Sequence, residues 1–174
     1  MYARTATSLL TALLLSLGPA HAVAESPAQG DADDEVDARA ESAKAKKKDL
    51  DFNDAGITWW SMKEGLAHAK KTDTPILLVA YATWCSACRA SAVYFHDDEL
   101  VRLSQRFVMI RVDVDVGADA VASLTPGETY VPRVVFLDAS GAPRKDVLSG
   151  SGEYPHFYTG LGPLVATMKK ALAK

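Results

Sequence analysis

The chain holds 174 residues with a formal net charge of −3, and 48% of them are hydrophobic. That length fits one ordinary domain, and the apolar content is ample for its core. A mildly acidic balance without a basic patch gives nucleic acid nothing to bind.

Residues 1–22 stand apart from such a domain. Arg4 precedes a Leu-rich, uncharged run from Ala6 to Leu17, followed by Gly18-Pro19 and the small-x-small triplet Ala20-His21-Ala22. This is the order of a secretory signal peptide, with cleavage expected after Ala22, and the run falls short of the roughly 20 apolar residues that span a bilayer. No stable membrane anchor is expected after cleavage. Residues 23–50 read as a disordered charged linker, with an acidic block (Asp31, Asp33, Asp34, Glu35, Asp37), a basic block (Lys44, Lys46, Lys47, Lys48) and no aromatic side chain. Such a segment buries too little apolar surface to offset the entropy of ordering it. The folded domain is therefore placed at 51–174.

Within it, Ile57-Thr58-Trp59-Trp60 is β-prone, and Ser61 with Glu64 three residues on forms a capping box that opens a helix to about Lys71. The run 76–82 has no polar alternation and fits a central strand covered on both faces. A helix from Ser86 to about Phe95 follows, and His96-Asp97-Asp98 caps a further one through Arg106. Residues 107–114 alternate toward their end, with Arg111, Asp113 and Asp115 on one face and Ile110, Val112 and Val114 on the other. The stretch 117–129 reads as a long connection with a helical turn at 118–124. Val134 to Leu137 is a second buried strand, and Arg144 to Leu148 its exposed hairpin partner across the turn at 139–141. Pro163 suits the first turn of a closing helix whose Leu161, Leu164, Val165, Met168 and Leu172 form one stripe. Parallel strands joined by helices, then a hairpin, give an α/β fold of three layers: a central mixed β-sheet flanked by helices on both faces.

Both cysteines lie in the segment Tyr81-Ala82-Thr83-Trp84-Cys85-Ser86-Ala87-Cys88-Arg89, where a strand hands over to a helix. Unpaired amides and the helix dipole place partial positive charge there, and Arg89 adds a full charge nearby, so the position suits an attacking thiolate at Cys85. Structural alternatives are weaker. A disulfide closing so short a loop constrains the unfolded chain little. A zinc site needs about four ligands, whereas there is no second Cys pair and none of His21, His68, His96 or His156 stands at a finger-like spacing. Cys85 and Cys88 are thus the candidate catalytic residues, able to pair as a redox-active disulfide, and no metal or organic cofactor is expected.

Beyond Trp84-Cys85-Ser86-Ala87-Cys88, three segments are distinctive: Ile57-Thr58-Trp59, the run Pro126-Gly127-Glu128-Thr129-Tyr130-Val131-Pro132-Arg133, and Phe136-Leu137-Asp138 with Ser140-Gly141. With them, the chain from Ile57 to Ala173 resembles the thioredoxin superfamily, and more narrowly the small single-domain secretory proteins of the anterior-gradient branch. The resemblance implies a thioredoxin-like fold and exchange with protein or peptide thiols. It also implies that Pro132 is cis and faces the dithiol, that Val131 offers its backbone to an extended client as if adding a strand, and that Trp84 shields the site.

Two departures qualify the resemblance. Six residues before the first cysteine, where many members bury a carboxylate that helps move the second cysteine's proton, stands Val79. Resolution by Cys88 is then slow or relies on another group. Arg111, near where some relatives place a strand lysine, reads as an ordinary surface charge. The chain ends Ala171-Leu172-Ala173-Lys174, without the retrieval signal that animal members of the branch typically carry, which together with the signal peptide favours a bacterial periplasm, with secretion as the alternative.

The expected function is thiol-disulfide oxidoreductase, working with an unidentified redox partner. Direction is open, because Ser86-Ala87 has neither the Gly-Pro of strongly reducing relatives nor the histidine of strongly oxidising ones. The alternative is a non-enzymatic client-binding or chaperone-like module that uses the same groove around Val131 and Pro132. A copper-handling relative lacks an obvious partner histidine, since His96 is eleven residues past Cys85. His68 lies in the polar part of the first helix, His156 reads as a packing residue, and Tyr154, Phe157 and Tyr158 as cover for the sheet end.

Overall fold

The computed structural model describes residues 49–149 and 151–173. The expected signal peptide and all of the linker before Asp49 lie outside them. The elements are β1 (Trp59–Trp60), α1 (Met62–Thr72), β2 (Ile76–Tyr81), α2 (Ser86–Ala92), a 3-10 turn (Val93–His96), α3 (Asp98–Ser104), β3 (Val108–Asp113), α4 (Val114–Leu124), β4 (Arg133–Leu137) and α5 (Leu161–Leu172).

The strands form one mixed sheet in the order β1-β3-β2-β4. β2 pairs in parallel with β3, from Ile76↔Val108 to Tyr81↔Asp113, and antiparallel with β4, from Ile76↔Leu137 to Ala80↔Arg133. A strand with a neighbour at each edge and helices on each face must be apolar throughout, and all six residues of β2 are buried. Its alternate side chains feed two separate cores, as the two-residue period of a strand requires. Leu77, Val79 and Tyr81 join α2, α3 and α5 through Cys88, Leu100, Leu164 and Met168. Ile76, Leu78 and Ala80 join α1 and α4 through Ala69 and Val121. The three-layer arrangement expected from the strand and helix order is thus present. Gly65 lets α1 come close to the sheet, since a Cβ there would sit 2.6 Å from Ile110 Cγ1.

Three local expectations change. β3 ends at Asp113, whose carboxylate caps the next helix by accepting the Asp115 N–H at 3.0 Å. Asp115 therefore lies in a helix and not on a strand face, and α4 fills the whole of Val114–Leu124 with a kink at Gly117. The helix expected to Phe95 tightens to 3-10 geometry after Ala92. Arg144 to Leu148 forms no strand: only Leu137↔Pro143 bridges to β4, and the chain turns back through a bond from Val147 N–H to the Arg144 carbonyl at 3.1 Å. The Arg144 N–H still reaches the Phe136 carbonyl at 2.8 Å, and the ladder ends there because the chain then turns off the sheet. Beside Val134, the carbonyl of His156 takes the free N–H at 2.8 Å instead.

The segment before β1 is packed onto this frame. Leu50 is buried, and Phe52 is fully enclosed with edge-on contacts to Trp59, Tyr81 and Phe95 at centroid distances of 5.9, 5.1 and 5.4 Å. Trp59 Nε1 donates to the Phe52 carbonyl at 3.0 Å, and Tyr81 Oη donates to Asp49 Oδ1 at 2.7 Å. Asp49 and Leu50, the last two residues of the expected linker, accordingly belong to the packed structure. Truncating Phe52 to alanine should cost about 3–5 kcal/mol, as for other enclosed aromatics. The expected result is a lower urea midpoint for Phe52→Ala with an unchanged denaturant slope.

Candidate redox site

At the end of β2, Ala82-Thr83-Trp84 carries the chain into α2, and Cys85 is the N-cap of that helix. Its backbone is extended (φ −78°, ψ 118°), and its Sγ accepts the Cys88 N–H at 3.1 Å. A hydroxyl or carboxylate usually serves in this place, because the first amides of a helix have no partners within it. A sulfur there sits where electron density is welcome. Both cysteines are free thiols. Cys85 keeps 7% of its surface accessible and Cys88 none, so an incoming sulfur can meet only the first.

The two sulfurs differ in chemistry as well. Burial pushes the Cys88 thiol up to about 12, and its hydrogen bond with Cys85 adds to this, while the Ala82 backbone and the charge of Arg89 pull weakly the other way. Arg89 itself leans back along α2, its Nη1 donating to the Thr83 carbonyl at 2.8 Å.

Across from the helix tip, the Val131–Pro132 bond is cis. The Cys85 thiol donates to the Val131 carbonyl at 3.6 Å, within reach for a sulfur donor. Pro132 is buried and Val131 half-buried. Trp84 is 60% exposed, and its Nε1 donates to Asp115 Oδ1 at 2.9 Å, so the indole is held at the start of α4 and not packed beneath the strand end.

Val79 is buried in the layer that holds the dithiol, with Arg111 as its register partner on β3. The Arg111 guanidinium reaches Asp54 at 2.8 Å and Asp49 at 3.3 Å, and it lies 5.5 Å from the ring centroids of both Phe52 and Trp59. Its charge therefore ties down the N-terminal segment. His96 turns to Asp51 at 3.5 Å, and His68 stacks on Trp60 at 4.6 Å. Among the described residues, no group of three or more His, Cys, Asp or Glu is placed to hold a metal ion, and no helix is long and apolar enough to cross a membrane.

Two groups near the site carry more than the sequence suggested. Asp115 anchors Trp84, and the Asp113-x-Asp115 spacing was a cap signal hidden by the alternation of the strand before it. His156, read as packing, sets its Nδ1 against both Glu128 carboxylate oxygens at 2.9 Å. These residues are 28 apart, and nothing local links them.

The geometry agrees with what the chain is similar to. The family model described as thioredoxin-like matches residues 58–139. Anterior gradient protein 3 of Mus musculus is 33% identical over 124 residues, which cover 67% of this chain and 72% of that one. The thiol:disulfide interchange protein DsbD of Vibrio vulnificus is 32% identical over 85 residues, 47% of this chain but 14% of that protein. A solved structure described as DsbH oxidoreductase has the same fold, with a TM-score of 0.51 at 22% identity, covering 67% of this chain and 84% of that one. With its cysteine pair at a helix start and a cis-proline facing it, the chain belongs to the thioredoxin-like family and is related within it to the anterior gradient proteins.

Proposed function

We propose that this thiol-disulfide oxidoreductase acts on protein or peptide clients, with Cys85 as the attacking sulfur and Cys88 as the resolving one. The observation that carries the reading is the placement of Cys85 Sγ at the N-cap of α2, facing the Val131 carbonyl, with Cys88 enclosed behind it.

The Cys85 thiolate attacks one sulfur of a client disulfide. A Cys85–client bond forms, the client S–S bond breaks, and the departing client thiolate takes up a proton. Ionisation of Cys85 also removes the S–H donor from Val131, leaving that carbonyl free to accept a backbone N–H of an extended client. Cys88 then loses its proton and attacks Cys85 Sγ, releasing the second client thiolate and leaving a Cys85–Cys88 disulfide. Two electrons have passed to the client, and a thiol-bearing redox partner restores the dithiol. The reverse sequence donates a disulfide. Trp84 and Pro132 flank the client, the first as an exposed apolar plate and the second through the cis bond that turns Val131 toward the sulfur.

Where relatives place a carboxylate to receive the Cys88 proton there is Val79, so the proton leaves by another route and the raised thiol limits the second step. The signal-like residues 1–22 support a periplasmic setting, in which protein disulfides form and persist.

In the full chain, Cys88→Ala should accumulate reductant-sensitive mixed disulfides with a peptide disulfide, and mass mapping should find them on Cys85. Mixed disulfides formed by Cys85→Ser would reverse the assignment. Cys85→Ser should also lower turnover about a thousandfold or more, as loss of a nucleophile does, while the dissociation constant of a cysteine-free client peptide moves little. Unimpaired turnover in that variant would favour the binding-module alternative. Because only the Cys88 thiolate resolves the intermediate, the resolution rate should rise about tenfold per pH unit through the range where a free thiol levels off, near pH 8–9. Rapid acid quenching at a series of pH values reads this directly, and a plateau below pH 9 would show that another group takes the proton.

A further inference from the structure

The segment that carries Val131 is not held by the sheet. Between Leu124, which ends α4, and Arg133, which opens β4, residues 125–132 belong to no helix or strand. Some other set of contacts must fix the carbonyl that Cys85 touches.

Those contacts are side chains, and they bracket Val131 on both sides. Before it, the Glu128 carboxylate meets His156 Nδ1 at 2.9 Å, with both side chains largely covered (19% and 13% exposed). Burial and the neighbouring Glu128 carboxylate push the Tyr130 phenol upward. The Tyr130 hydroxyl in turn accepts the His156 N–H at 3.1 Å, and its ring meets Tyr154 edge-on at 5.0 Å. After it, the buried Arg133 turns its Nη1 back to Thr125 Oγ1 at 2.8 Å and to the Glu128 carbonyl. The circuit closes through the sheet, where the His156 carbonyl accepts the Val134 N–H at 2.8 Å. Residues 128, 130, 133 and 134 are thus all tied to one another or to His156, and Val131 is suspended among them.

We infer that the Glu128–His156 pair is a positioning device, which with Tyr130 and Arg133 fixes the Val131 carbonyl opposite Cys85 and so sets the affinity for extended clients. This rests on the reading of Val131 as the client's backbone partner. Neither Glu128 nor His156 touches the sulfur. A hydrogen-bonded contact shielded from solvent holds its geometry better than an exposed one, because water competes for it less. Releasing it lets residues 128–131 drift, and a shift of about 1 Å in a positioning group can cost as much as about a hundredfold.

The test uses the full chain with excess dithiothreitol and a quenched fluorescent octapeptide holding one internal disulfide. Glu128→Ala and His156→Ala should each raise KM about tenfold with kcat within about twofold, and Glu128→Gln, which keeps an acceptor in place, should recover most of the loss. Alkylation of Cys85 by iodoacetamide, which needs no backbone partner, should stay within about twofold of wild type. Tyr130→Phe deletes only the hydroxyl and keeps the ring between Arg133 and Tyr154, so it carries the test if the alanine variants do not fold. It should raise KM about threefold. A lower urea midpoint with unchanged KM in the folded variants would show a merely structural role and overturn the inference, as would a fall in alkylation equal to the fall in kcat/KM. Peptide turnover that is absent from the wild type, or that persists in Cys85→Ser, would instead overturn the parent reading and this inference with it.

Discussion

A sulfur caps a helix in this protein, and the rest of the site is arranged around that substitution. The first amides of α2 need an acceptor, and Cys85 supplies it from the residue at which β2 has just delivered the chain. Because β2 is central, its end is fixed by hydrogen bonds on both edges, so the position of the sulfur is inherited from the most rigid part of the fold. Cys88 falls one turn later on the face that packs inward, which is why two residues of the same type, three positions apart, have opposite environments.

The N-terminal segment supports the same end of the sheet. Arg111 emerges from β3 beside Val79, where an isolated cation would be poorly solvated among Phe52, Trp59 and Tyr81. Asp49 and Asp54 neutralise it, and Asp49 also receives the Tyr81 hydroxyl, whose phenol is pushed upward by burial and by that carboxylate. The aromatic cluster and the ion pairs thus close over the layer that contains the dithiol without placing any carboxylate at position 79. Charge is gathered at the strand margin, and the interior beneath Cys88 stays apolar.

Much of this was legible in the sequence, for identifiable reasons. The unbroken apolar run 76–82 announces a doubly covered strand, and Ser61 with Glu64 announces a helix start; in the structure the Ser61 hydroxyl accepts the Glu64 N–H at 3.3 Å. Cys-x-x-Cys at a strand-to-helix junction is equally direct. Less was visible where two patterns overlapped. Asp113 and Asp115 continue a strand-like alternation while capping and opening a helix, and the helix wins because the Asp113 side chain satisfies an amide that the strand has no use for. The hairpin after Gly141 keeps its bridge at Pro143 and ends beyond Arg144, where the turn to Val147 draws the chain off the sheet. Contacts between distant residues, such as Glu128 with His156 or Arg111 with Asp49, leave no local trace, so only the folded chain reveals them.

The enclosure of Cys88 bears on how catalysis and capture are related. A mixed disulfide lasts until the second thiol ionises, and here that thiol is buried, raised to about 12 and without a carboxylate at Val79 to receive its proton. On the proposed mechanism the covalent client complex is therefore long-lived near neutral pH, and during that interval the Val131 carbonyl is free to pair with the client's backbone. Exchange and binding then cease to be competing descriptions of the groove. They are two limits of one intermediate, separated by how quickly a single enclosed proton leaves, and a change in the surroundings of Cys88 would move the protein between them without altering Cys85 or the surface that meets the client.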